Sequence, residues 1–182
     1  RLCYNPNALT DAGIQDLRGM TSLEQLKLCG QVSGVGLAAL RELPTLREVA
    51  LGRQATAAGL EQAVALPRLE ELALCECSAL RDDDLALLAS AQRLKRLSFR
   101  QMPITDLGLA HLRALPQLQC LTLWELPITN AGLECLGDLP HLRQLSICGA
   151  SPSDDGLQHV AHLSELEVLS LHCPSVTDAG LE

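Results

Sequence analysis

The chain has 182 residues, of which 47% are hydrophobic but only 2% aromatic, and its net charge is −8. With so few rings, leucine must fill the core, which suits a stack of thin repeated layers better than one central core. The negative charge makes the chain a poor candidate for phosphate contacts, which need a basic face, so we expect no nucleic-acid partner. No apolar run approaches the ~20 residues of a membrane-spanning helix, so we expect no membrane insertion.

A leucine pattern of the form L-x-x-L-x-L recurs along the whole chain. Its first leucines are spaced by 23 to 25 residues and are Leu23, Leu46, Leu69, Leu94, Leu118, Leu142 and Leu166. A fixed period of this length is the sequence signature of a solenoid, in which each unit packs only against its neighbours.

The unit 118–140 shows what one repeat forms. Leu121 and Leu123 alternate with Cys120 and Thr122, as in a strand with one buried face. A turn follows, and then three leucines at a spacing of three predict one buried stripe on a short helix or 3₁₀ segment. A proline ends the helical segment. Each unit is therefore predicted to be strand, turn, short helix and return.

A Thr or Ser precedes most of the predicted helices, and Asp or Asn often follows it. The hydroxyl suits an N-cap, and a carboxylate in the first turn suits the positive end of the helix dipole. A glycine comes two or three residues later, where we expect adjacent helices to approach closely. The third repeat departs from this pattern, with Arg81-Asp82-Asp83-Asp84 in place of the cap and the glycine.

The clearest copies of the full motif are 104–109, Ile-Thr-Asp-Leu-Gly-Leu, and 176–181, Val-Thr-Asp-Ala-Gly-Leu. They resemble the leucine-rich repeat family, in particular the cysteine-containing type of F-box proteins and the bacterial T-D-x-G-L type. The resemblance implies an α/β solenoid: a leucine-rich repeat horseshoe with a parallel concave sheet and short convex helices. We expect residues 1–182 to form a single domain of about seven to eight repeats, truncated at both ends.

The exposed positions of the predicted concave face contain the candidate binding residues. Trp124 is the only tryptophan and falls on an exposed column, with Arg100 as its predicted neighbour one strand away. Trp and Arg are enriched at binding hot spots. The alternative is a cation–π contact that only stabilises the surface. The predicted partner-binding set on this face is Arg100, Gln101, Trp124, Glu125 and His172.

A polar column at the start of the strands mostly alternates in charge. Cross-strand ion pairing explains this pattern, with a partner-binding role as the alternative. The column comprises Glu24, Arg47, Glu70, Lys95, Gln119, Arg143 and Glu167.

Eight cysteines are present, and most recur where a repeat tolerates any small residue. We expect reduced thiols, and hence an intracellular, cytoplasmic protein, rather than a disulfide framework. Cys148, His172 and Cys173 are three candidate metal ligands without a clear fourth, and a structural zinc site needs four. We therefore expect no metal and no cofactor. Cys3 and Cys29 share one column, where neighbouring thiols or a disulfide are both geometrically allowed.

No arrangement typical of a nucleophile elbow or a phosphate loop is present, so we expect no enzyme activity within this chain. The leading interpretation is a non-catalytic protein–protein interaction module or scaffold within a larger intracellular protein or assembly, including a multi-subunit complex. One alternative is the substrate-recognition part of a ubiquitin ligase, which the resemblance to F-box proteins implies. Another is the targeting or regulatory region of an enzyme whose catalytic domain lies outside this sequence.

Overall fold

A computed structural model describes residues 9–28 and 30–181 of the chain. The expectations for Cys3 and Cys29 therefore fall outside the described residues. Within those residues, seven strands form one parallel sheet in chain order. The strands are β1 Gln25–Leu28, β2 Glu48–Leu51, β3 Glu71–Cys75, β4 Arg96–Arg100, β5 Cys120–Trp124, β6 Gln144–Cys148 and β7 Val168–His172.

The register of the sheet follows the leucine period. Leu26 pairs with Val49, Leu72 with Leu97, and each later strand continues this row without a shift. Partners are therefore one repeat apart, and each row of the sheet is one column of the aligned repeats. The predicted solenoid with a parallel sheet is confirmed.

Short helical segments connect the strands, as parallel pairing requires. In the part of the chain that the structure describes, five are α-helical: α1 Asp11–Ile14, α2 Ala57–Val64, α3 Asp106–Leu109, α4 Asn130–Leu136 and α5 Asp154–Val160. The others are 3₁₀ helices: Gln15–Gly19, Val35–Leu40, Asp82–Ser90, Ala110–Ala114 and Asp178–Leu181. The helical segments cover one face of the sheet. We call the opposite, uncovered face the concave face.

Leucines from the strands and helices fill the space between the two layers. Leu72 and Leu74 of β3 are fully buried, and so are Leu85 and Leu88 of the 3₁₀ helix that follows. Phe99 is the largest fully buried side chain. Among the described residues no polar or charged side chain is buried. Polar groups are thus confined to the two surfaces and to the turns.

A carboxylate or amide at the start of one helix binds the cap residue of the next repeat. Asp106 accepts bonds from the backbone N–H of Thr129 at 2.9 Å and from its hydroxyl at 2.6 Å. Asp82 binds Thr105 in the same way, and Asp154 binds Thr177. The sequence predicted only a dipole interaction for these carboxylates. We call this series of side chains the Asp ladder; its members are Asp11, Asp82, Asp106, Asn130 and Asp154.

Glycines leave room for the Asp ladder. A β-carbon on Gly108 would lie 2.5 Å from Oδ1 of Asp82, and one on Gly156 would lie 2.5 Å from Oδ1 of Asn130. Close approach between neighbouring repeats was predicted, but the contacting group is mainly a side-chain oxygen of the preceding repeat. The third repeat is thus less exceptional than its sequence indicates, because Asp82 takes the ladder position.

Candidate binding surface on the concave face

The ends of β4 and β5 bring two predicted site residues together. Leu97 and Phe99 point into the core, and Arg100 is therefore exposed on the concave face. Leu121 and Leu123 of the next strand are likewise buried, so Trp124 lies on the concave face too. Arg100 and Trp124 are direct partners in the register of the sheet, as predicted.

The Arg100 guanidinium lies over the indole ring of Trp124. Its central carbon is 5.0 Å from the ring centroid, within the ~6 Å range of a cation–π interaction. The Trp124 residue nevertheless remains 40% exposed. The cation thus holds the ring in place without covering it.

Glu125 joins the other side chains into one hydrogen-bonded group. The indole N–H of Trp124 donates to one carboxylate oxygen at 3.0 Å, and the Gln101 amide donates to the other at 2.6 Å. These two bonds, with the charge of Arg100, lower the pKa of the Glu125 carboxyl. The carboxylate therefore stays charged at neutral pH. We call Arg100, Gln101, Trp124 and Glu125 the Trp124 cluster.

The backbone beneath the cluster is left-handed. Gln101 has a φ of 50° and Glu125 a φ of 51°, and Glu76 shows the same conformation in the preceding repeat with a φ of 56°. Their N–H groups donate to the carbonyl oxygens of Trp124, Cys148 and Arg100, so each extends the sheet by one bond. A non-glycine residue in this region costs about 1–2 kcal/mol.

This conformation was not predicted, although the sequence carries a signal for it. Gly30 and Gly149 occupy the equivalent positions in two other repeats and also have positive φ. Two glycines in a column that otherwise holds larger residues indicate a left-handed position.

His172 does not belong to the cluster. It follows Cys148 in the register, so one whole strand separates it from Trp124. Two strand spacings correspond to about 10 Å. The structure thus assembles four of the five predicted site residues and leaves His172 apart on the same face.

Ion pairs occupy much of the amino-terminal part of the concave face. Lys95 binds Glu70 at 3.2 Å and Arg143 binds Glu167 at 2.7 Å, which confirms cross-strand pairing in these parts of the polar column. A second network was missed: Arg96 contacts Glu71 at 2.6 Å and Glu48 at 3.7 Å. These pairs are partly exposed, and such pairs contribute about 0–1 kcal/mol each.

The cysteines of the described chain are free thiols. Cys77 is fully buried, and its Sγ lies 3.3 Å from the carbonyl oxygen of Gly52. Burial raises the pKa of the Cys77 thiol to about 12, so it stays protonated and donates to the neighbouring loop. The Cys77 thiol therefore supports the loop beside the sheet.

The structure does not bring the three candidate metal ligands of the sequence together. Over residues 9–28 and 30–181, no group of three His, Cys, Asp or Glu side chains is placed to hold a metal ion. Cys148 and His172 are neighbours in the sheet, but Cys173 is buried on the other side of the strand end. No helix in the same residues is long and apolar enough to cross a bilayer.

Many solved structures resemble this fold, among them the following two. An internalin, InlF from Listeria monocytogenes, matches with a TM-score of 0.51 and 20% identity, over 90% of this chain and 58% of that one. TLR13, solved in a complex with ssRNA13, matches with a TM-score of 0.63 and 20% identity, over 89% of this chain and 24% of that one.

The chain has the leucine-rich repeat fold. This chain spans little more than half the length of the internalin and about a quarter of TLR13, and at such low identity the likeness extends to the fold alone. No protein-family model matches the sequence. No curated protein matches it either.

Proposed function

We propose that the protein is a non-catalytic protein–protein interaction module and that its concave face binds a protein partner through the Trp124 cluster. The observation that carries the proposal is the position of the single tryptophan. Trp124 is 40% exposed on the open face of the sheet. Exposed aromatic rings held by a charged neighbour are typical anchors of protein interfaces.

The cluster is pre-organised for binding. Arg100 fixes the indole from above and Glu125 fixes its N–H group, so little side-chain entropy remains to be lost when a partner docks. The neighbouring inner row of the face is small, with Ser98, Thr122 and Ser146 in register. A partner can therefore approach the sheet closely beside the ring.

The chemistry of the cluster suggests the kind of group that it takes. The exposed indole surface favours an apolar or aromatic side chain of the partner. The Arg100 guanidinium has further N–H donors for a backbone carbonyl or carboxylate. A partner segment with one apolar anchor beside a hydrogen-bond acceptor fits both groups.

We further propose that the module belongs to a larger intracellular, cytoplasmic protein or assembly and has no enzyme activity of its own. The negative charge of the chain supports a protein rather than a nucleic-acid partner. The F-box-type and T-D-x-G-L subtypes also remain predictions. If the F-box-type resemblance holds, the concave face would select substrates for a ubiquitin ligase. If it does not hold, we propose a scaffold or the targeting region of an enzyme.

The test is capture of partners by the wild-type protein and by Trp124→Ala, followed by mass spectrometry and affinity measurement. Removing a central anchor costs about 2 kcal/mol or more, which is roughly thirtyfold in affinity. Leu107→Ala is the matched control, because Leu107 is 75% exposed on α3, away from the concave face. Equal binding by Trp124→Ala and the wild type would refute the proposal.

A further inference from the structure

A depression of about 410 Å³ lies at the amino-terminal ends of β2, β3 and β4. Arg47 and Lys95 line it from the residues that precede β2 and β4. Arg68 and Arg93 line it from turns, and each lies two residues before a member of the polar column, Glu70 or Lys95. Glu70 is the remaining charged group of the lining. We call these five residues the basic pocket. Lys95 precedes Arg100 by five positions along β4 and the residue before it, so the pocket lies about 17 Å from the Trp124 cluster.

The basic pocket is positively charged, whereas the chain as a whole has a negative net charge. Four of the 14 Lys and Arg residues of a protein with net charge −8 line this one depression. Glu70 is bound by Lys95 at 3.2 Å, and this hydrogen bond is the main cause of the lowered pKa of the Glu70 carboxyl. In the described part of the chain, Arg47, Arg68 and Arg93 take part in none of the ion pairs.

Unpaired cations held together repel one another, and an external anion relieves that repulsion. Arg68 and Arg93 occupy equivalent positions of adjacent repeats, each three residues before the register partners Glu71 and Arg96. Their guanidinium groups are exposed and present paired donors that match a carboxylate. Arg47 interacts electrostatically with Glu70, so Arg68 and Arg93 are the uncompensated positive charges that the pocket presents to solvent within a small concave volume.

We propose that the basic pocket binds an acidic segment of a protein partner, with Arg68 and Arg93 contacting its carboxylates. The size of the pocket favours one or two acidic side chains. A long polyanion such as a nucleic acid would extend beyond the depression onto a surface with an excess of carboxylates, which repels it. This site goes beyond the Trp124 cluster and does not depend on it.

Fluorescently labelled hexaglutamate tests the proposal by fluorescence anisotropy at low salt. We expect it to bind the wild-type protein, to weaken as the salt concentration rises, and to bind at least about tenfold less tightly to Arg68→Gln/Arg93→Gln. Because both arginines are exposed and without ion pairs, the double variant should fold normally. Hexaglutamine, which lacks the charges, should bind at least about tenfold more weakly than hexaglutamate.

Arg41→Gln/Arg113→Gln is the matched control, since it removes the same charge from exposed arginines of the helical side that already contact Gln62 and Asp138. It should bind hexaglutamate as the wild type does. The proposal is overturned if the pocket variant binds hexaglutamate as well as this control, or if a labelled oligothymidylate binds the pocket more tightly. Trp124→Ala should leave hexaglutamate binding unchanged, so failure of the pocket and failure of the Trp124 cluster are distinguishable.

Discussion

Asp82 and Gly108 belong to adjacent repeats, and the carboxylate of one occupies the space that a side chain of the other would need. Oδ1 of Asp82 accepts a bond from the backbone N–H of Thr105 at 2.8 Å. The same oxygen lies 2.5 Å from the ideal β-carbon position of residue 108. The inter-repeat hydrogen bond therefore requires a glycine at position 108.

Gly108→Ala should destabilise the protein by about 1–3 kcal/mol, because the methyl group displaces the Asp82 carboxylate or forces the two repeats apart. Gly19→Ala is the control, since nothing lies within 4 Å of its β-carbon position. Urea denaturation followed by circular dichroism measures both variants. Equal midpoints for the two variants would show that the carboxylate moves aside without cost.

Asp11 should make folding sensitive to acid. Partial burial opposes ionisation, but bonds from the backbone of Gly36, Ser33 and Gly34 and from the Ser33 hydroxyl outweigh it and lower the pKa of Asp11 below 3.8. When the pKa of a carboxyl is lower in the folded than in the unfolded protein, its ionisation stabilises the fold. This stabilisation is complete above the pKa of the unfolded state and is lost as the pH falls through the pKa of the folded state. Stability should therefore decline below about pH 4.

Asp11→Asn removes this titration while keeping one acceptor oxygen, as Asn130 does naturally in the same ladder. We expect the free energy of unfolding of this variant to be about 1 kcal/mol lower than that of the wild type at pH 7. Between pH 5 and pH 3, the free energy of unfolding should fall less in the variant than in the wild type. Urea midpoints across this pH range measure the effect. Asp16→Asn, which removes an exposed carboxylate nearby, should retain the wild-type acid sensitivity.

Trp124 should report the protonation of Glu125, because it is the only tryptophan and its N–H group donates to that carboxylate. The bonds from Trp124 and Gln101 lower the pKa of Glu125 below the ordinary 4.5. Tryptophan emission should therefore change as the pH falls below about 4. Glu125→Gln should abolish this change, whereas Glu76→Gln, which breaks only the pair with Arg53, should preserve it.

Gln101→Gly should leave the protein as stable as the wild type or stabilise it by up to about 1 kcal/mol. Glycine relieves the strain of the left-handed backbone at φ 50°, and this gain offsets the loss of the exposed hydrogen bond to Glu125. Gln144→Gly, in the strand conformation of the same face, should instead cost about 1 kcal/mol. A matching loss at both positions in thermal denaturation would mean that the backbone at Gln101 is not strained.

The sequence was sufficient to predict the sheet, its register and the pairing of Arg100 with Trp124, because a fixed period places equivalent residues side by side. The same period also puts His172 two strands beyond Trp124, so its separation from the cluster follows from the sequence as well. The Asp ladder was missed. Its bonds join a side chain to the backbone of the next repeat, and a pattern of residue types within one repeat does not reveal them.

The left-handed positions and the Arg96 network show a second limit. The conformation of Gln101 and Glu125 is imposed by the extra sheet bond that each N–H group makes, against the preference of the residue itself. Arg96 reaches two repeats back to Glu48, which depends on how a long side chain lies across the sheet. Both effects arise from packing between repeats.

The Asp ladder is interrupted in the amino-terminal half, where Gly34 and Ala57 stand at its positions. Thr56 still donates its backbone N–H to the carbonyl oxygen of Ser33, but the N–H of Arg81 turns to Asp84 of its own repeat. In a linear array, cooperativity is only as strong as the weakest coupling between neighbours. The junction between Ala57 and Arg81 lacks the ladder bond, and we expect amide hydrogen exchange to protect the residues on its two sides to different extents.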